Sequence, residues 1–336
     1  MIIKTLETKV CGTNYTFKLS YYLETIVLRL KHRMFGVLII KVLSNFMQQL
    51  IRYVLVPTDF SQESAAALKV AAEISRRTGA HILLLHVVDS LLYKAIWAID
   101  EIDLLHINLC DKQSTITQLT NELKIKLIHF AAKYAGDRLV EPCVAFQNTY
   151  IAIHEYAKKH ENCLIVMGSK GTGDTSFLMG SNTEKIIRIS PSPVLVIKGA
   201  VANFTNFELK TICIASDFEP HHIPWIIITF IKFLQTVFSA HLQLLKVITP
   251  QHFELSSHTQ KSLNEFATMY KLQNFSINIS NHYTEHEGIL AFAEDNHTNL
   301  ICMTTNGSTG FMQIIMGSIA EEVANQAKIP ILTFRV

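Results

Sequence analysis

Charge is scarce in this chain. Asp, Glu, Lys and Arg make up 17% of 336 residues, and the net charge of +2 supplies no field for steering DNA or RNA, so a nucleic-acid partner has no electrostatic support. Cysteine is scarce too, at six residues, and none falls in a Cys-X-X-Cys spacing. Several sit inside apolar strand-like runs, which reads as reduced core thiols in a cytoplasmic protein rather than a disulfide framework. No uncharged apolar run is long enough to cross a bilayer, and no small-residue cleavage site follows a proper apolar core. A P-loop lysine motif, a Gly-X-Ser-X-Gly elbow and a paired-carboxylate arrangement are all missing, so nothing names a catalyst.

What is present is apolar and regular. Hydrophobic residues account for 49% of the chain, which excludes a disordered polymer, and the length suits two domains with separate cores. Residues 1–50 stand apart, with Tyr21, Tyr22, Ile26 to Leu30 and Met34 to Ile40 flanking Lys31, His32 and Arg33. This extension reads as poorly structured, or as preceding a natural start at Met34 or Met47; a basic amphipathic surface anchor is the alternative.

From Ile51 onward, short buried runs alternate with helical spacing. Tyr53 to Val56 reads as a strand, Pro57 to Ser61 as a turn, and Ser61 as the N-cap of a helix carrying Ala66, Val70 and Ile74 and closed by Gly79. Ile82 to Val88 is the next strand, which completes a parallel βαβ unit. A helical pattern through Leu119, Leu123, Leu127 and Phe130 follows, then a strand from Val140 to Phe146, a helix from Ile151 to His160 and a strand from Leu164 to Met167.

The next stretch is the most informative. Glycine is sparse, at 13 residues, yet four fall between Gly168 and Gly180, in a loop joining a strand to a helix. Gly168, Gly171 and Gly180 would allow positive φ and close backbone approach. Ser181 with Glu184 has the spacing of a capping box, which would set a helix N-terminus beside those glycines, where backbone donors and the helix dipole attract phosphate. Such a loop is also a common connector. The helix from Ser181 to Ser190 and a strand from Pro193 to Ile197 complete a five-stranded, doubly wound sheet.

The second half repeats the first. Residues 209–218 match 51–60, aligning Asp217-Phe218 with Asp59-Phe60; Leu300 to Gly307 matches Leu164 to Gly171. Met316-Gly317-Ser318 with Glu321 repeats Met179-Gly180-Ser181 with Glu184, and Ile329 to Leu332 repeats Ser192 to Leu195. Agreement in order and spacing marks a tandem duplication, with domains at 51–199 and 208–336 joined by a linker at 200–207.

These blocks together resemble the universal stress protein family in its two-domain form. The resemblance implies two doubly wound five-stranded parallel-sheet domains, of the adenine nucleotide alpha hydrolase-like kind, packed through their last strands as an internal pseudo-dimer; it leaves a homodimer open. Some family members bind ATP. Carried over, the likeness puts Thr58 and Asp59 beside the nucleoside, the backbone of Val87 at the adenine, and Met167, Gly168, Lys170 and Gly171 around ribose and phosphates. Gly180, Ser181 and Asn182 would hold the phosphate tail of ATP or AMP, with Mg2+ accompanying ATP.

Each half departs from the family's glycine pattern. Eight residues separate Gly171 from Gly180, one short of the usual nine, whereas the second half keeps the spacing but has Thr304 in place of the first glycine and no Lys or Arg up to Ser318. The second site is therefore expected to be vacant or vestigial. Asp59 and Asp217 read equally as helix-start caps. His282 and His286 have a metal-compatible helical spacing with no evident third ligand. The expectation is an adenine-nucleotide-binding stress-response regulator whose bound nucleotide orders residues 168–182 and alters a surface read by an unidentified protein partner. A nucleotide-free interaction scaffold and a slow ATPase or phosphotransfer protein using Ser181 are the alternatives.

Overall fold

The computed structural model describes residues 50–88, 109–169, 180–199, 207–219, 223–305 and 313–336, with residues 109–113, 115 and 313–318 described by backbone alone. Residues 1–49 of the expected extension, residues 200–206 of the expected 200–207 linker, Lys170 and Gly171 lie outside the described residues.

The first half runs β1 (Tyr53–Pro57), α1 (Gln62–Thr78), β2 (His81–Val88), α2 (Leu109–Tyr134), β3 (Val140–Phe146), α3 (Thr149–Lys159), β4 (Cys163–Ser169), α4 (Ser181–Ile189) and β5 (Val194–Lys198). The second half runs β6 (Thr211–Ala215), α5 (Trp225–Phe238), β7 (His241–Ile248), α6 (Ser256–Met269), β8 (Phe275–Asn281), α7 (Glu285–Asp295), β9 (Leu300–Thr305), α8 (Gln313–Gln326) and β10 (Ile331–Arg335).

All ten strands join one sheet, in the order β3-β2-β1-β4-β5-β10-β9-β6-β7-β8. Within each half every pairing is parallel, and helices cover both faces, so the inner strands are buried on both sides and read as nearly unbroken apolar runs, while the edge strands β3 and β8 are only half-buried. The halves meet at one antiparallel seam, where Ile331, Leu332 and Thr333 face Val196, Leu195 and Val194. This is the pseudo-dimer arrangement through the last strands. On the surface the seam is bridged by Arg188 of α4, which donates to Glu184 (2.8 Å) and across to Glu321 of α8 (2.7 Å).

Side-chain size sets how closely each helix lies on the sheet. Helix α1 buries Ser64, Ala65, Ala66, Ala67 and Ala71, small residues that let its backbone descend onto β4. Its counterpart α5 buries Ile227, Ile228, Phe230, Ile231, Phe233 and Leu234, which hold it farther out. The expected caps of α1 are present. Ser61 Oγ accepts from Ser64 N–H at 3.2 Å, and Gly79, at φ 77°, donates its N–H to Ser75.

Candidate functional site

The C-terminal ends of β1, β2, β4 and β5 converge at the point where strand order reverses, the usual ligand crevice of a doubly wound sheet. Five predicted residues sit there on strands or their ends: Thr58 and Asp59 after β1, Val87 on β2, Met167 and Gly168 on β4. Gly180, Ser181 and Asn182 join them at the start of α4.

The β1 turn is held by its own side chains. Thr58 is buried, and its Oγ1 accepts the Phe60 N–H at 3.0 Å while lying 2.9 Å from Ser64 Oγ. This bonding supports a positive φ of 65° at Phe60, an uncommon conformation for a residue with a Cβ. His86 donates from Nδ1 to the Thr58 carbonyl at 2.8 Å, and its ring packs 4.8 Å from Phe60. Asp59 Oδ1 accepts the Ser61 N–H at 3.0 Å. Partial burial works against ionisation of Asp59, but hydrogen bonds from Ser61, backbone and side chain, outweigh it and hold the carboxyl below its usual range. The same turn recurs in the second half, where Ser216 Oγ accepts from Phe218 N–H (3.2 Å), φ of Phe218 is 57°, and Asp217 accepts from Glu219. Asp59 therefore has a turn-building role, independent of any ligand.

Gly168 is explained by packing. A Cβ there would lie 2.1 Å from the Glu63 carbonyl oxygen and 2.7 Å from the Ser64 nitrogen, so the first turn of α1 occupies the space a side chain would need. Its φ is not positive, nor is that of Gly180 (−54°), which corrects the expectation that these two glycines serve a left-handed backbone.

The start of α4 differs from the expected capping box. Gly180 is the N-cap and Ser181 the first helical residue, while Glu184 turns to Arg188. The Thr183 and Glu184 N–H groups bond to Gly180 O, but those of Ser181 and Asn182 have no acceptor among the described residues. A Cβ on Gly180 would meet nothing within 4 Å among the described residues. The supposed capping box of the second half is likewise absent, because Gly317 and Ser318 lie inside α8, whose first residue is Gln313. Their N–H groups belong to the helix interior.

Two residues that sequence reasoning left out lie at the ends of β4 and β5, the strands that precede and follow α4. Ser169 and Lys198 are register partners at the ends of β4 and β5, each only 4% exposed. Among the described residues Ser169 Oγ has no hydrogen-bond partner, and burial pulls the Lys198 ammonium down to about 8. A lysine ending the apolar run Val194 to Ile197 was the available signal.

The histidine pair does not form a helical metal site. His282 precedes α7, with Nδ1 3.4 Å from the Glu287 carboxylate, whereas His286 lies on α7 with Nδ1 2.9 Å from Glu322. Among the described residues no three His, Cys, Asp or Glu side chains converge.

Comparison with known proteins agrees with this architecture. A profile described as the universal stress protein family matches residues 51–198 and 231–335. A universal stress protein of Methanocaldococcus jannaschii is 32% identical over 162 residues, spanning 45% of this chain and 98% of its own length. Among solved structures, a universal stress protein from Archaeoglobus fulgidus superposes with a TM-score of 0.63 at 19% identity, over 84% of this chain and 98% of its own. A functionally unknown protein from Pseudomonas aeruginosa gives 0.58 at 18% identity, over 86% and 94%.

Proposed function

The chain belongs to the universal stress protein family, and on that premise we propose that its first half binds an adenine nucleotide, ATP or AMP, as part of a stress-response regulatory role. The observation that carries this reading is the N-terminus of α4, where, among the described residues, the N–H groups of Ser181 and Asn182 have no acceptor and nothing lies within 4 Å of a Cβ built on Gly180. Such a helix end suits phosphate through its free donors and its dipole. Thr58, Asp59, Val87, Met167 and Gly168 would line the nucleoside end, with Lys170 and Gly171 completing the phosphate end. Mg2+ would accompany ATP and neutralise part of its charge.

Within this reading the nucleotide acts as an effector. It stabilises whichever arrangement of residues 168–182 binds it more tightly, and a protein partner reads the altered surface. Acid precipitation of freshly purified protein, followed by mass spectrometry of the supernatant, tests for bound nucleotide. Isothermal titration with ATP and AMP then measures affinity. Release of adenine nucleotide, or binding at millimolar concentration or tighter, supports the proposal. The absence of both release and heat would overturn it and leave the interaction-scaffold reading.

A further inference from the structure

Ser169 and Lys198 need an explanation because the same two positions in the second half are satisfied. Thr305 and Arg335 are their counterparts, paired in register on β9 and β10. Thr305 Oγ1 donates to the Phe334 carbonyl at 3.4 Å, and the Arg335 guanidinium donates to the Ile189 carbonyl at 2.9 Å. In the first half Ser169 Oγ has no partner, and Lys198 has neither a hydrogen bond nor an ion pair among the described residues. A buried hydroxyl without a partner is costly to the fold, and so is a largely desolvated ammonium without a counter-charge.

Their place in the fold indicates what they face. Alternation along β5 puts Lys198 on the same side of the sheet as Val194 and Val196, and along β4 puts Ser169 with Ile165 and Met167. That side packs against Ile186 and Ile187 of α4. Helix α4 leads into β5 through a short connection, so its last residue lies at the start of the strand and its first at the strand's end. Nine helical residues span roughly 13 Å and five strand residues about 16 Å, so the lengths match. The end of β5 that carries Lys198 therefore lies beneath the end of α4 that carries the free N–H groups.

We infer that Lys198 and Ser169 form the floor of an anion subsite under the α4 N-terminus, the ammonium and hydroxyl meeting the phosphate oxygens from below while Ser181 and Asn182 N–H groups meet them from above. This deepens the nucleotide reading and rests on it for the identity of the ligand. The phosphate-binding cation is then supplied by the sheet itself. A one-residue deletion in the preceding loop leaves that cation in place.

Isothermal titration of the full chain with ATP, adenosine and inorganic tripolyphosphate tests the inference, comparing wild type with Lys198→Met and Ser169→Ala. Lys198→Met is expected to weaken ATP and tripolyphosphate about 10- to 100-fold, as for loss of a charge-assisted hydrogen bond, with adenosine unchanged within about twofold. Ser169→Ala is expected to weaken both about 3-fold. ATP affinity unaffected by Lys198→Met overturns the floor and leaves the nucleotide site standing. Lys198-dependent tripolyphosphate binding with no gain from the adenosine moiety supports the floor and overturns the nucleotide reading. Wild type binding neither anion overturns both. Should the variants misfold, the assigned Lys198 side-chain NMR signal of wild type must move on addition of tripolyphosphate, and a stationary signal overturns the inference.

Discussion

The two halves share a fold and a turn but differ where a ligand would sit. In the first, α1 begins three residues after Asp59 and packs its backbone against Gly168; in the second, α5 begins eight residues after Asp217, and Thr304 occupies the glycine's position. These differences form a set. An alanine-rich helix that starts early descends onto the sheet and forbids a Cβ, whereas a phenylalanine-rich helix that starts late stands off and tolerates threonine. The helices over the seam diverge in the same way. Helix α4 begins at Ser181 with an open end, while α8 begins five residues earlier than the equivalent Ser318 and consumes the corresponding N–H groups. Duplication preserved the scaffold, and among the described residues the helix start at Gly180-Ser181 has no counterpart at Gly317-Ser318.

Gly168→Ala gives the sharpest break in this comparison. With a Cβ 2.1 Å from backbone oxygen, either α1 or β4 must move, and urea denaturation is expected to show a loss of about 3 kcal/mol or more. Thr304→Gly in the second half should cost only about 1 kcal/mol, from weaker strand propensity. Equal losses would remove the coupling between helix packing and residue type.

Lys198 gives the next largest effect, with a pH signature. Its folded value near 8 lies below the ordinary lysine value of 10.5, and burial is the sole cause, so the unfolded chain binds the proton more tightly. The charged ammonium thus opposes folding fully below pH 8, and the penalty fades as pH rises to 10.5. Lys198→Met should be more stable than wild type at pH 7 by about 3 kcal/mol, with the difference shrinking by pH 10. Urea melts at both pH values measure this. A less stable variant at pH 7 would mean that Lys198 has a structural partner.

Ser61→Ala removes the α1 N-cap bond and should cost about 1 kcal/mol. No matching loss is available in α5, whose N-cap Pro224 makes no side-chain bond. Arg188→Ala should have the smallest effect, no more than about 0.5 kcal/mol, because its pairs with Glu184 and Glu321 are exposed.

Much of the fold was legible in the sequence. Inner parallel strands buried on both faces appear as apolar runs, and even the half-buried edge strand β3 has the boundaries read from its pattern. The duplication and the family blocks marked the two tandem halves. The causes acting across the fold were hidden. Gly168 looked like a ligand-facing glycine because the α1 backbone that fills its Cβ space is about a hundred residues away in sequence. Ser181 and Glu184 had capping-box spacing, but a glycine one position earlier took the cap and Arg188 took the glutamate. Ser169 and Lys198 are separated by the loop and α4, so only the strand register shows that they are neighbours.

The central claim is that one half of this duplicated chain holds a nucleotide and the other does not. Equilibrium dialysis of the full chain against radiolabelled ATP measures this directly. Saturation at one ATP per chain is the predicted result, and saturation at two, or no binding at millimolar ATP, would contradict it.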